Sequence, residues 1–309
     1  MKTNCLLILA FLSLSSFAQT KTVSVPQFLT HQDGLHDYWP CFSADGKNII
    51  FSRRPTNGRW QLFRIAIKNG QAIPFLNPSP DIGATRASNS LKGEIAFTGI
   101  SANGMPSLWI SDSTGTRVQQ INVRHIVGGP VYPSWYANGQ ELVTVAYQQE
   151  KGGVLNHIEL SSGSAKALTD LKTIRCGMPD VSPDGRSIVF AGQKIASNQH
   201  YDQTKNVLWI LDKKGNLTQL VKTQGRAPKW SPDGKYIAYE STAGSSDGKY
   251  AIFIITADGK HSQRITDYKW EANHPVWSAD GQTLVVSAVH PAHPGFTGIA
   301  ILNLGGFKL

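Results

Sequence analysis

Long apolar runs are nearly missing from this chain. The only one spans 6–14, and nothing after it is apolar for long enough to form a bilayer-spanning helix. Charged residues make up only 17%, and the basic residues behind the formal net charge of +9 gather into no dense run. No nucleic-acid module is visible among them. Serine, histidine and aspartate are scattered without the strand-turn-helix setting of a nucleophile elbow, which removes the support for nucleophilic catalysis. A glycine loop able to cradle phosphate is also missing. Cysteine is reduced to three residues, one of which, Cys5, lies at the start of the amino-terminal apolar run.

That run has the layout of a secretory signal: Lys2 before it, and Ser16-Phe17-Ala18 after it at the cleavage positions. A signal over 1–18 is expected, with a mature chain from about Gln19 in the periplasm or outside the cell. Cys5 is not at a cleavage site, so no lipid anchor is expected. Without Lys2 the chain keeps a charge of about +8, which suits an anionic partner.

What the chain does have is a repeat. Pro228-Lys229-Trp230-Ser231-Pro232-Asp233-Gly234 is echoed at 40–46, 133–139, 179–185 and 275–281, and in degenerate form at 87–93. The marker glycines at 46, 93, 139, 185, 234 and 281 are 47, 46, 46, 49 and 47 residues apart. A fixed period of this size indicates a propeller or similar array. Asp-Gly or Asn-Gly between apolar runs makes a tight hairpin, because glycine reaches positive φ without strain. Each copy is therefore strand, turn, strand, and the second strands, such as Ile237-Ala238-Tyr239, suit burial on both faces. The second copy has a turn one residue shorter. Third strands follow at 61–67, 107–111, 154–160, 207–211, 251–255 and 298–304, and fourth strands at 71–76, 117–123, 164–169, 217–221 and 262–266. The sixth copy has no fourth strand of its own. The segment 24–30, ahead of the first hairpin, carries the Leu29-Thr30 ending seen again in Leu168-Thr169 and Ile265-Thr266, so it is assigned as the missing strand.

The expected fold is all-β: a six-bladed β-propeller with four antiparallel strands per blade, filling 19–309 as one domain, with the amino-terminal strand closing the last blade. Cys41 and Cys176 then fall in opposite blades, too far apart for a disulfide. The pattern Pro-x-Trp-Ser-Pro-Asp-Gly-x-x-Ile-Ala-Tyr, closed by Leu-Thr, resembles the PD40 (WD40-like) repeat of the TolB-like propeller family over 22–304. Similar repeats occur in propellers of prolyl-oligopeptidase-type peptidases and oligogalacturonate lyases. No α/β domain is expected before the propeller, and no hydrolase domain after it.

On such a scaffold the Asp-Gly hairpins share one rim and serve the turns. Function is expected on the opposite, variable rim. Immediately before the repeat's proline position stand Trp39, Arg86, Tyr132, Met178, Ala227 and His274, with Arg175 and Arg226 close by and Arg53 on a variable loop. Arg forks match carboxylates, and aromatic faces stack on sugars or side chains. Trp39, Arg86, Tyr132, Arg175, Arg226, His274 and Arg53 are thus the candidate binding residues; alternatively, Trp39, Tyr132 and His274 plug the channel. Asp180 and Glu271 are candidate acid and base. No cofactor is expected; the alternative is a divalent metal on His274, His290 and His293, as in a polysaccharide lyase or another glycan-active enzyme. The leading expectation is a monomeric, non-catalytic binding or scaffold module for an envelope protein or an anionic polymer.

Overall fold

The turn chemistry of the repeat forms as the sequence dictates. In the fifth copy the Ser231 hydroxyl donates to Asp233 Oδ1 at 2.6 Å and accepts the Tyr236 N–H at 2.9 Å, while Asp233 Oδ1 also accepts the Lys235 N–H. The same set recurs around Ser43, Ser182 and Ser278. Serine and aspartate therefore recur because each satisfies backbone donors that the turn leaves unpaired. In the second copy Ser90 N–H reaches Glu94 O, four residues on, where Ser231 N–H reaches Tyr236 O, five residues on. That is the shortened turn.

The computed structural model describes residues 25–77, 80–148, 151–194, 200–305 and 307. The segment 1–18, read as a signal, lies outside the described residues. Strand pairing gives four sheets of four strands and one of eight. The eight-stranded sheet divides at a single pair, Gly153 with Cys176, into two sets of four. Taken in chain order, the first strands of the sets are Leu35–Phe42, Gly83–Asn89, Gly129–Trp135, Arg175–Val181, Arg226–Trp230 and Asn273–Trp277. Each pairs with a second strand whose side chains are almost wholly buried, as in Ile49, Phe97, Leu142, Val189, Ile237 and Leu284.

The sixth set is completed from the front of the chain. Gln27 and Phe28 pair antiparallel with Ile301 and Ala300. Just beyond, Leu29 N–H donates to Ile299 O at 2.8 Å, and Thr30 Oγ1 accepts the Ile299 N–H at 2.9 Å. Leu168-Thr169 makes the same pair of bonds to Leu155, and Ile265-Thr266 makes it to Ile252. The Leu-Thr ending is thus a device in which a threonine hydroxyl caps the third strand. The fourth strands are shorter than the sequence suggests, Ile73–Pro74 and Ser262–Arg264 for instance, and after Ser262–Arg264 the Thr266 hydroxyl takes over from the ladder. Short outer strands leave little exposed edge.

Between the sheets, each core cluster joins two neighbours. Cys41, Ile50 and Leu62 of the first set pack with Ala84, Ile95 and Phe97 of the second, and Ile49, Phe51 and Ile65 of the first pack with Val285 and Ile299 of the sixth. The repeat's tryptophans reinforce these seams. Trp135 Nε1–H donates to Ser88 O at 2.9 Å, and Trp277 Nε1–H donates to Lys229 O at 3.0 Å, in each case at the equivalent residue of the preceding set. Cys41 and Cys176 are buried, unbonded thiols, and burial pushes both pKa values up to about 12.

Gly298 tests the seam. A Cβ there would sit 1.9 Å from Thr30 O. A Gly298→Val variant is expected to lift residues 25–30 off the sixth sheet and to lower stability by about 2–4 kcal/mol, several degrees of thermal midpoint. Hydrogen exchange should then speed up at the Leu29 amide; unchanged protection there would show that the pairing does not hold the segment.

Candidate functional site

All six first strands are broken at the same point. The register slips between Tyr38 and Cys41, Thr85 and Ser88, Val131 and Ser134, Gly177 and Asp180, Arg226 and Lys229, and Asn273 and Val276. At each bulge one non-glycine residue is left-handed: Trp39 (φ 51°), Arg86 (56°), Tyr132 (55°), Met178 (51°), Ala227 (45°) and His274 (51°). Proline follows five of them and, having no N–H, cannot continue the ladder. Each left-handed residue costs on the order of 1 kcal/mol, and such strain persists only where the surroundings over-determine it. Here the neighbouring set helps to do so: Arg86 N–H donates to Ser52 Oγ, and His274 N–H donates to Glu240 Oε2 at 2.8 Å.

The bulges turn these six side chains into one small cavity of ≈ 60 Å³. Much of its wall is a continuous stack. The His274 and Trp39 ring centres are 5.3 Å apart, and the Arg86 guanidinium carbon lies 4.3 Å from the centre of the Trp39 ring and 4.6 Å from that of Tyr132. Tyr38 meets His274 edge to face at 5.7 Å. Trp39, Tyr132 and His274 thus line the cavity together with Arg86.

Two arginines of the first strands, Arg86 in the cavity lining and Arg226 next to Ala227 of that lining, have opposite fates. Arg226 is held by Glu240, which is 1% exposed, with Nε 3.4 Å from Oε1, and by the Tyr250 hydroxyl at 2.8 Å. Arg86 has no acidic partner among the described residues, and its Nε is buried without a hydrogen bond. Trp39 Nε1, Thr85 Oγ1, Thr98 Oγ1, Asn273 Oδ1, His274 Nδ1 and Ser287 Oγ are likewise buried and unpartnered among the described residues. Such a concentration of unmet polar atoms marks a place for water or a ligand. Burial, reinforced by Arg226 and Arg86 and opposed by Glu240, lowers the His274 pKa to about 4, so its imidazole is neutral at pH 7.

A groove of ≈ 860 Å³ adjoins this cavity, and Arg86 and Tyr132 line both. Its outer part is formed by Ile100, Met105, Pro106 and Val127.

The structure thus brings Trp39, Arg86, Tyr132 and His274 together and places Arg226 beside them. It does not bring Arg53, Arg175, His290 or His293 to the cavity lining. Arg53 is consumed by Asp37, with both oxygens at 2.7 Å, and lies over Phe51 and Phe63. Arg175 is 5% exposed, with Gly152 packed against it and Tyr201, so it does not face the opening. His290 and His293 meet His31 instead of His274, at ring distances of 4.9 and 5.1 Å. Their Nδ1 atoms are occupied by the Ala292 N–H and by Asp33, and no group of three or more candidate ligands able to hold a metal ion occurs among the described residues. Asp180 is committed to Ser134, Lys229 and the Trp230 N–H, and Glu271 pairs with Lys249.

Sequence reasoning passed over Glu240 and Ser52. The signal was present: aligned on the repeat, the fourth residues of the second strands are Ser52, Thr98, Val145, Ala191, Glu240 and Ser287, and a glutamate after Ile237-Ala238-Tyr239 breaks a strand that is otherwise apolar. Tyr147, Met105 and Val127 of the groove were also missed, as nothing in the repeat marks them.

Residues 85–304 match the family model of PD40, the TolB beta propeller domain. The chain belongs to the TolB β-propeller family. A Tol-Pal system protein TolB from Francisella tularensis subsp. mediasiatica is 42% identical over 77 residues, 25% of this chain and 17% of that protein, so the match spans about a sixth of that relative's length. Among solved structures, TolB from Acinetobacter baumannii superposes with a TM-score of 0.55 at 17% identity, covering 87% of this chain and 64% of that one. An oligogalacturonate lyase in complex with manganese superposes with a TM-score of 0.60 at 11% identity, covering 93% and 96%. At these identities the likeness of the structures speaks for the fold alone. Apart from short 3-10 turns at Gln203–Lys205 and Tyr268–Trp270, the described elements are all β-strands, and no described helix is long and apolar enough to cross a membrane.

The neutral His274 ties the propeller's stability to pH. A histidine whose pKa is depressed on folding contributes stability that is present above its unfolded value near 6.5 and lost as pH falls through about 4. The loss is expected to be on the order of 2–3 kcal/mol, read from urea unfolding at stepwise lower pH. In a His274→Gln variant the slope between pH 6.5 and 4 should flatten; an identical slope would place the titration elsewhere.

Proposed function

We propose that the six sets of strands are the blades of one closed, six-bladed ring, exported to the periplasm or beyond, and that the ring is a non-catalytic binding module. Its working surface is the variable rim, and it holds an anionic group of an envelope protein or polymer on Arg86. The observation that carries this reading is the state of that guanidinium. Its central carbon lies 4.3 and 4.6 Å from the centres of the Trp39 and Tyr132 rings, its Nε is buried without a hydrogen bond, and no described acid neutralises it. A stacked guanidinium is pre-organised for a planar carboxylate, and a charge-assisted pair is among the stronger polar contacts available. The core clusters that join every neighbouring pair of sets, the last with the first included, support the closed ring.

Oligogalacturonate and poly-glutamate are suitable anionic probes. Salt-sensitive binding of at least one is expected, falling about ten- to hundredfold in Arg86→Met, which keeps an apolar side chain between the rings. Failure of both probes to bind, or equal binding by the variant, would overturn the reading. If the oligogalacturonate mixture instead gains the absorbance of an unsaturated product, the module is a lyase and the non-catalytic part falls.

A further inference from the structure

The groove beside Arg86 has a composition that narrows the ligand. Its described charged residues are Arg86 at the inner end and Lys151, with no described acid, so an anionic occupant is favoured. Two cations suit a group that carries one or two negative charges. The outer wall is aliphatic: Met105 is 57% and Val127 71% exposed, next to Ile100 and Pro106. Exposed apolar residues flanking a cavity mark a contact surface, and aliphatic walls suit aliphatic side chains better than sugar rings, which favour flat aromatic faces. The floor is kept open by backbone. A Cβ on Gly129 would lie 2.1 Å from Pro106 Cγ, and one on Gly128, at φ +96°, would lie 2.3 Å from Tyr147 O. At ≈ 860 Å³ the groove is within the range of sites that enclose a compact ligand.

A single carboxylate adjoining aliphatic side chains on an extended backbone describes the end of a polypeptide. We infer that this groove binds the carboxyl-terminal segment of a partner protein, with the terminal carboxylate on the N–H edge of Arg86 and the last apolar side chains against Met105 and Val127. The inference rests on the anion-binding reading of Arg86 and adds the class of ligand.

The test uses fluorescein-labelled hexapeptides ending in combinations of Leu, Val, Met and Phe at the last three positions, each as free acid and as carboxamide, titrated into the whole protein by anisotropy. At least one free acid should bind tenfold or more tightly than its amide. That preference should disappear in Arg86→Met. Val127→Asp, at a residue exposed enough to be replaced without harm to folding, should weaken acid and amide alike by at least fivefold with the thermal midpoint unchanged. Equal binding of acid and amide, or no binding by any peptide, would overturn the inference. The oligogalacturonate titration separates the two levels: if its Arg86-dependent binding persists while the peptides fail, only the ligand class is wrong, and if both fail, so does the anion site.

Discussion

Thr30 joins three parts of the chain at once. Its hydroxyl accepts the Ile299 N–H of the last sheet and donates to Asp37 Oδ2 at 2.6 Å on the first strand of the first sheet. Asp37 is 2% exposed, and a carboxylate so deeply buried is tolerated only when paired. Arg53, from the adjacent strand, supplies the counter-charge through two bonds. The amino-terminal segment is therefore held by backbone pairing, by a hydroxyl and, through that hydroxyl, by a buried ion pair. Arg53 is spent on this arrangement, which is why it cannot also serve a ligand.

The bulges are the second constraint. Six left-handed residues in six equivalent places aim their side chains into a common cavity, and the fold accepts a backbone cost in each sheet to do so. A regular strand would have sent alternate side chains into the seams between sheets. The slip followed by proline redirects one residue per sheet, so identity at that one position is freed from core packing and can vary from Trp39 to Ala227 without disturbing the seams.

The sequence made the period, the turns and the origin of the closing strand legible because each is local chemistry repeated: serine and aspartate at a turn, threonine at the end of a strand, a turn one residue short at Ser90. It also pointed to the residues before the prolines, since that position varies while the one after it is proline in five of the six copies. Its failures share a cause. Arg53, Arg175, His290 and His293 were selected as polar residues near a variable rim, but the partners of Arg53 and of the two histidines, Asp37 and His31, are brought to them by packing between separate elements, and Arg175 is buried. A repeat alignment shows which positions are equivalent and does not show which side chains a particular pair of loops will satisfy.

Arg86 and Arg226 make the same point at the site itself. They stand one position apart in the repeat, Arg86 in the left-handed place and Arg226 just before it. On the second strand paired with Arg226, Glu240 holds the place that Thr98 holds in the set of Arg86. Glu240 neutralises Arg226 and accepts the His274 N–H, so that half of the opening is charge-balanced and fixed. Thr98 offers Arg86 no charge, and stacking on Trp39 and Tyr132 supplies orientation without neutralisation, because a π face attracts a cation by no more than about 1–2 kcal/mol. Arg86 is thus an arginine set against aromatic rings with no acid beside it among the described residues, and the second-strand residue, glutamate in one set and threonine in the other, is what distinguishes it from Arg226.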